Sequence, residues 1–200
     1  MLEFDLDEVA EAFFSVRTGE KPEFQRLLIR AGNKAVMPLL HALLGVTAKY
    51  QHYTNDIARK FKRGIFGEES GRYFWAKVTF ESEVKNSYDI IRRIGQPAKD
   101  ELCRALMDRD YRIRLSAALL LALDEEPSSE TYYGTQRSLN YLADPSQSLI
   151  LMLLGIVFLR AGDTKWLALT ENHARETGIS LQEWVERTIN TALIELQRGR

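Results

Sequence analysis

The residue types that could carry chemistry are few and scattered. The histidines are His41, His52 and His173, and the single cysteine is Cys103. His41 and His52 are 11 residues apart, close to one face of a continuous helix, but no carboxylate joins them at a spacing that suits a metal ion. One cysteine excludes an internal disulfide and a cysteine-based metal cluster. Cys103 sits between Leu102 and Leu106 on a predicted helix, where a thiol packs as a small hydrophobe. The chain has no GxSxG, Walker loop, HExxH or GxGxxG. Paired acids such as Asp5/Asp7 and Glu125/Glu126 suit helix starts and solvated loops. No catalytic residue, metal ligand or cofactor-binding residue is assigned, and the expectation is a protein without enzymatic activity.

One charge feature stands out, Arg59-Lys60-Phe61-Lys62-Arg63. Across Val46 to Lys77, Lys49, Arg72 and Lys77 add to it, against the acids Asp56, Glu68 and Glu69. Tyr50, Tyr53, Phe66, Tyr73, Phe74 and Trp75 are interleaved. Basic groups attract phosphates through counterion release, and aromatic rings stack on bases. Arg59, Lys60, Lys62, Arg63, Arg72 and Lys77 therefore form a candidate nucleic-acid patch. The bland account of the same residues is a helix C-terminus that favours cations, with aromatics filling a core. The net charge of −1 makes any such partner depend on this local patch.

The elements that would position these groups read as helices throughout. The composition, 45% hydrophobic and 28% charged with 5 prolines in 200 residues, suits a globular helical protein. The acidic start MLEFDLDEVAEAFF lacks the basic region of a secretory signal. The most apolar run, Leu149 to Leu159, is too short to span a bilayer. A cytoplasmic protein with no membrane partner is expected. Asp5 begins the first helix, with Phe4 and Val9 as its staple, and Pro22 opens a second that ends at Gly32. Asn33 is expected to cap KAVMPLLHALLG. Gly71 to Arg93 is helical, as one helix or two. Pro97 to about Met107 and Tyr111 to about Leu123 form a pair around Asp108-Arg109-Asp110. The second of these is apolar on all sides and must be covered on all sides. Ser129 to about Leu142 follows, then Asp144-Pro145 as a cap introducing SLILMLLGIVFLRAG. Thr164 to Thr177 stops at Gly178, and Ser180-Leu181-Gln182-Glu183 is a capping box for the last helix, with Ile179 and Trp184 as staple. No segment alternates at period two.

Breaks fall near 32, 64, 95, 128 and 162, at intervals of 31 to 34 residues. Three of them look alike, IRAGNKAVMPLLHAL, RRIGQPAKDELCRAL and FLRAGDTKWLALTEN. A fixed period of this length marks an α-solenoid. The expected fold is all-α, a right-handed α-solenoid (α-α superhelix) of about five to six stacked helix pairs, spanning 1–200 as one repeat domain.

Gly95, Pro97, Ala98, Leu102, Ala105 and Leu106, then Asp108, Asp110, Ile113, Arg114, Ala117, Ala118 and Leu123, resemble the short bacterial HEAT-like repeat, the type also found in phycobilisome lyases. The block from Leu142 through Asp144-Pro145 to Gly162-Asp163 is similar to a second helix of such a repeat, although Leu149 and Ile150 stand where Arg114 would be echoed. Ala31 to Leu44 resembles a first helix. The resemblance implies that Asp110 and Arg114 are packing and capping residues in a ladder between adjacent repeats. It also implies a lyase or chaperone of a pigment-carrying protein as one possible role. Some HEAT-like proteins are DNA glycosylases, but their motif has no match here. At the other end, HARETGISLQEWVERTINTAL is similar to the two helices of ribbon-helix-helix DNA-binding proteins. Those read DNA with a preceding polar strand, whereas Leu153 to Leu159 is continuously apolar and suits a buried helix.

The leading expectation is a non-enzymatic scaffold or adaptor that binds another protein along a concave face lined by second helices. Arg109, Arg112, Tyr132 and Tyr133, near the pair junctions, are its candidate contacts. Nucleic-acid binding through 46–77 is the alternative.

Overall fold

The computed structural model describes residues 5–15, 21–45, 68–142 and 147–198, with the side chains of 15, 21, 68–79 and 140 excepted. Every regular element among these residues is helical. They form two compact units, one from Met1–Arg93 with Leu193–Arg200, the other Ile94–Ala192.

In the first unit, Asp5 caps α1 (Leu6–Ser15) by accepting the Asp7 amide at 2.9 Å. Val9, Ala10, Phe13 and Phe14 are buried at helical spacing, and α1 packs on α2 (Lys21–Ala31). Phe4 lies outside the described residues. Gly32 ends α2 in a left-handed conformation, φ 64°, and a 3-10 turn over Gly32–Ala35 leads directly into α3, residues 36–45. This corrects the expected Asn33 cap. Asn33 lies inside the turn, where its carbonyl accepts the Val36 amide. A chain passing from turn to helix without extended backbone finds main-chain acceptors for the first amides of α3. Val36, Leu39, Leu40 and Leu43 are buried as their spacing predicts. By length and composition Pro22–Gly45 is the one helical run among the described residues apolar enough to cross a membrane, although the left-handed Gly32 interrupts it. The stretch left open as one helix or two is one, α4 (Glu68–Ile94), with Phe80, Val84, Ile90 and Ile91 inside.

The second unit opens with α5 (Gln96–Ala105) and α6 (Tyr111–Ala122). Gly95 has φ 82° and Gly162 φ 81°, so all three look-alike breaks turn on a left-handed glycine. Asp110 caps α6 by accepting the Arg112 amide at 2.7 Å. Arg114 donates to the carbonyls of Asp108 and Arg109 at 2.7 and 2.9 Å. These bonds are local to one turn, so Asp110 and Arg114 cap as expected, while Asp144, which stands where the next repeat would place its ladder aspartate, lies outside the described residues. Lys99, near the start of α5, bridges Asp124 beyond the end of α6 at 2.5 Å, which makes the pair antiparallel.

α7 (Ser129–Ser138) ends earlier than predicted, in a 3-10 turn over Leu139–Tyr141. Asp144 and Pro145 lie outside the described residues, and α8 (Ser148–Arg160) starts just past Gln147. α5 lies on α7 and α6 on α8. Both contacts run the same way. Ser128, which caps α7, donates to Gln96 at the start of α5, and Ser138, at its end, donates to the carbonyl of Cys103. Arg160, at the end of α8, donates to the carbonyls of Ala122 and Asp124 at the end of α6. From Leu115 to Ala122 every residue of α6 is buried, and so is Leu153 to Phe158 of α8. Each buried leucine contributes roughly 1.5–3 kcal/mol, so this apolar layer dominates the stability of the unit.

α9 (Thr164–Thr177) has its predicted limits. Asp163 caps it through the Lys165 and Trp166 amides, and Gly178, φ 71°, closes it. Trp166 lies over Gly155 and stacks on Phe158 at 5.2 Å. α10 (Leu181–Gln197) starts with Ser180 accepting the Glu183 amide at 3.1 Å. The Glu183 carboxylate faces Arg187 at 2.6 Å, so one half of the expected capping box is formed. The residues before α9 are helix α8, not the strand of a ribbon-helix-helix protein.

Candidate protein-binding groove

Where α5 and α7 lie side by side, small residues meet. Cys103 Sγ approaches the Thr131 carbonyl and Thr135 Oγ1 at 3.9 and 3.8 Å. A Cβ on Gly134 would stand 2.8 Å from that sulfur, so only glycine permits the approach. Thr131, Thr135 and Ser138 are buried along the same seam and satisfied by hydrogen bonds, two of them to carbonyls of their own helix. The seam is tight, but its small side chains leave a depression above it.

That depression is a groove of about 430 Å3, lined by Asp100, Cys103, Arg104 and Met107 from α5 and its end, and by Glu130, Tyr133, Gly134, Arg137 and Ser138 from α7. Each set recurs at i, i+3, i+4 and i+7, one face of a helix. Cys103, Gly134 and Ser138 form the floor. Met107 and Tyr133 are apolar yet 47% and 56% exposed. Because the two helices run the same way, Asp100 and Glu130 stand at one end of the groove and Arg104 and Arg137 toward the other. Helix dipoles favour Glu130 in the first turn of α7 and Arg104 and Arg137 in the last turns of their helices.

The charged groups are not equally occupied. Arg104 pairs with Glu101 on its own helix, and Asp100 accepts from Gln96 at 2.7 Å. The Glu130 carboxyl is held below its usual range by its own backbone amide and by the Ser128 and Ser129 hydroxyls. Arg137 is exposed and has no hydrogen-bond or ion-pair partner among the described residues. Burial pushes the Cys103 thiol up to about 11, against its hydrogen bond with Thr135, which lowers it. Protonated and 7% exposed, it serves packing, as its place in the sequence suggested.

A second cleft, of about 450 Å3, lies beside the starts of α7 and α9. Tyr132 crosses it to donate to Asp163 Oδ2 at 2.7 Å. That bond lowers the Asp163 carboxyl and raises the Tyr132 phenol.

Of the four candidate contacts predicted from sequence, Tyr132 and Tyr133 come together, ring centroids 5.3 Å apart. Tyr133 belongs to the groove, whereas Tyr132 is bound to Asp163 and packs edge-on against Phe158. Arg109 is exposed at the α5–α6 turn and Arg112 half-buried in the first turn of α6, neither lining the groove. Arg59, Lys60, Lys62, Arg63 and His52 lie outside the described residues. Arg72 and Lys77 fall on α4, and their side chains are also outside the description. His41 and His173 are exposed, and among the described residues no group of three His, Cys, Asp or Glu could hold a metal ion. Sequence reasoning missed Arg104, Met107, Gly134 and Arg137. The available signals were Met107 ending the polar face of α5 and a glycine inside the otherwise polar α7. Compared with family models, curated proteins and solved structures, the chain has no match.

Proposed function

We propose that this chain is a non-enzymatic helical-repeat scaffold of the HEAT-like, α-solenoid kind, which holds another protein against its side in the cytoplasm. One observation carries the reading. First helix lies on first helix and second on second, both running the same way, in two pairs whose first helices start 33 residues apart and whose second helices start 37 residues apart. Units that stack in this way bury one layer completely and leave another open along its length. In the second unit α6 and α8 are the buried layer, so the face offered to a partner belongs to the first helices, α5 and α7, rather than to the second helices expected from sequence.

Affinity purification of the full chain from its native cell, with and without nuclease, tests the reading. Protein partners that survive nuclease support it. Recovery of nucleic acid alone, with binding that collapses as salt rises and on charge reversal of Lys60, Lys62 and Arg63, would replace it by the basic-patch alternative. Coloured adducts on co-expression with a bilin and its acceptor protein would turn it toward a pigment lyase.

A further inference from the structure

We infer that the α5–α7 groove takes a helical segment of the partner protein, bearing a basic residue, apolar residues three and four positions on, and an acidic residue seven positions on. This rests on the scaffold reading and narrows it to one surface and one chemistry. Along α7, Glu130, Tyr133, Gly134 and Arg137 present acid, aromatic ring, gap and base in that order. The acid and the base are separated by about 10.5 Å at 1.5 Å per residue. A helix laid alongside meets complementary groups at the same rise, two turns apart.

Two exposed apolar side chains, Met107 and Tyr133, flank the gap that Gly134 leaves. Aromatic and thioether groups at such a place supply the anchoring contacts of interfaces. Arg137 has no partner among the described residues, so its guanidinium can take a carboxylate without first breaking an ion pair. The carboxylates of Asp100 and Glu130 at the opposite end repel a phosphate backbone and attract a lysine or arginine. A nucleic acid would meet like charge over half the groove, whereas an amphipathic helix with opposite charges at its two ends meets none.

The test uses synthetic alanine/glutamine-based helical peptides titrated into the isotope-labelled full chain. The first carries Lys, Leu, Phe and Glu at relative positions 0, 3, 4 and 7, the second has Lys in place of that Glu, and the third has Ser at both apolar positions. The first is expected to shift the amide signals of Tyr133, Gly134 and Arg137, the second to bind about fivefold more weakly, and the third not to bind. Arg137→Glu is expected to reverse the order of the first two. A ranking indifferent to the sign of residue 137, no binding of the first peptide, or shifts confined to other surfaces overturns the inference. Purification from cells separates it from the scaffold reading. Met107→Ser with Tyr133→Ser changes exposed positions, and circular dichroism checks that the variant folds. Loss of the protein partner in that variant supports the groove, and an unchanged partner overturns the groove while the scaffold stands. No protein partner for either chain overturns both.

Discussion

The two layers of the second unit are made of opposite materials. α6 and α8 meet through leucine, isoleucine, valine and phenylalanine, buried along most of their length. α5 and α7 meet through cysteine, threonine, serine and glycine, with hydrogen bonds rather than apolar volume along the seam. Both contacts join neighbouring pairs in the same direction, so the stacking geometry does not explain the difference. Exposure does. A layer closed on all sides can be apolar throughout, whereas a layer open on one side needs polar groups outside and small ones beneath. The apolar layer therefore carries the stability and the polar seam sets the shape of the open surface.

The largest effect that this comparison predicts is in the apolar layer. Leu119→Ala, at a fully buried position of α6, should cost about 2–5 kcal/mol in urea unfolding through lost burial and a residual cavity. Met107→Ala, at the end of the other layer, should change stability by less than about 0.5 kcal/mol while weakening any groove ligand. Comparable losses at the two sites would mean that the layers share the load, and the distinction would fail.

An intermediate effect belongs to the seam. Gly134→Ala gains about 1 kcal/mol of helix propensity but must fit a methyl group into the Cys103 sulfur, an overpacking that costs about 1–3 kcal/mol. A net loss is expected, with faster labelling of Cys103 by a thiol reagent as α7 moves off α5. Adding Cys103→Ala removes the sulfur and should return stability toward that of Cys103→Ala alone, or above it. A double-mutant cycle measures this coupling. Additive effects would show that the seam yields without resistance and does not fix the spacing of the groove.

Local signals were legible in the sequence, and lateral ones were not. The limits of α9, the caps Asp5, Asp110 and Ser180, the three glycine breaks and the buried Cys103 each depend on a few neighbouring residues. The covering of α6 on all sides followed from its composition. The groove depends on α5 and α7 being neighbours that run the same way, and nothing near Met107 or Arg137 carries that fact. Tyr132 shows the same gap. In α7 it looks like a surface tyrosine, and its partner Asp163 lies 31 residues further on. Asn33 misled for a different reason. A good capping residue after a left-handed glycine suggests a fresh helix start, but the chain crosses there through a 3-10 turn whose carbonyls already serve the amides.

The smallest expected effect concerns the polar link between successive pairs, and it is best read through pH. Tyr132 donates to Asp163, and this bond is the main cause that lowers the Asp163 carboxyl, with the Trp166 and Lys165 amides adding to it. A carboxyl depressed in the folded chain contributes stability that is present above its unfolded value and is lost as pH falls through the folded one. Tyr132→Phe removes the phenol and keeps the ring against Phe158. The Asp163 carboxyl should therefore rise toward the ordinary range. The variant should then be less stable than the unaltered chain near neutrality, and the difference should shrink as pH falls through the acid range, where the unaltered chain loses this contribution. Carboxyl titration by NMR follows Asp163 directly, and thermal midpoints across the acid range follow its consequence. The penalty of Leu119→Ala, which involves no titrating group, should stay constant over the same range. If Tyr132→Phe leaves both the titration and the acid limb where they were, the link between α7 and α9 is a surface contact of no energetic weight, and the stacking of the pairs rests on the apolar layer alone.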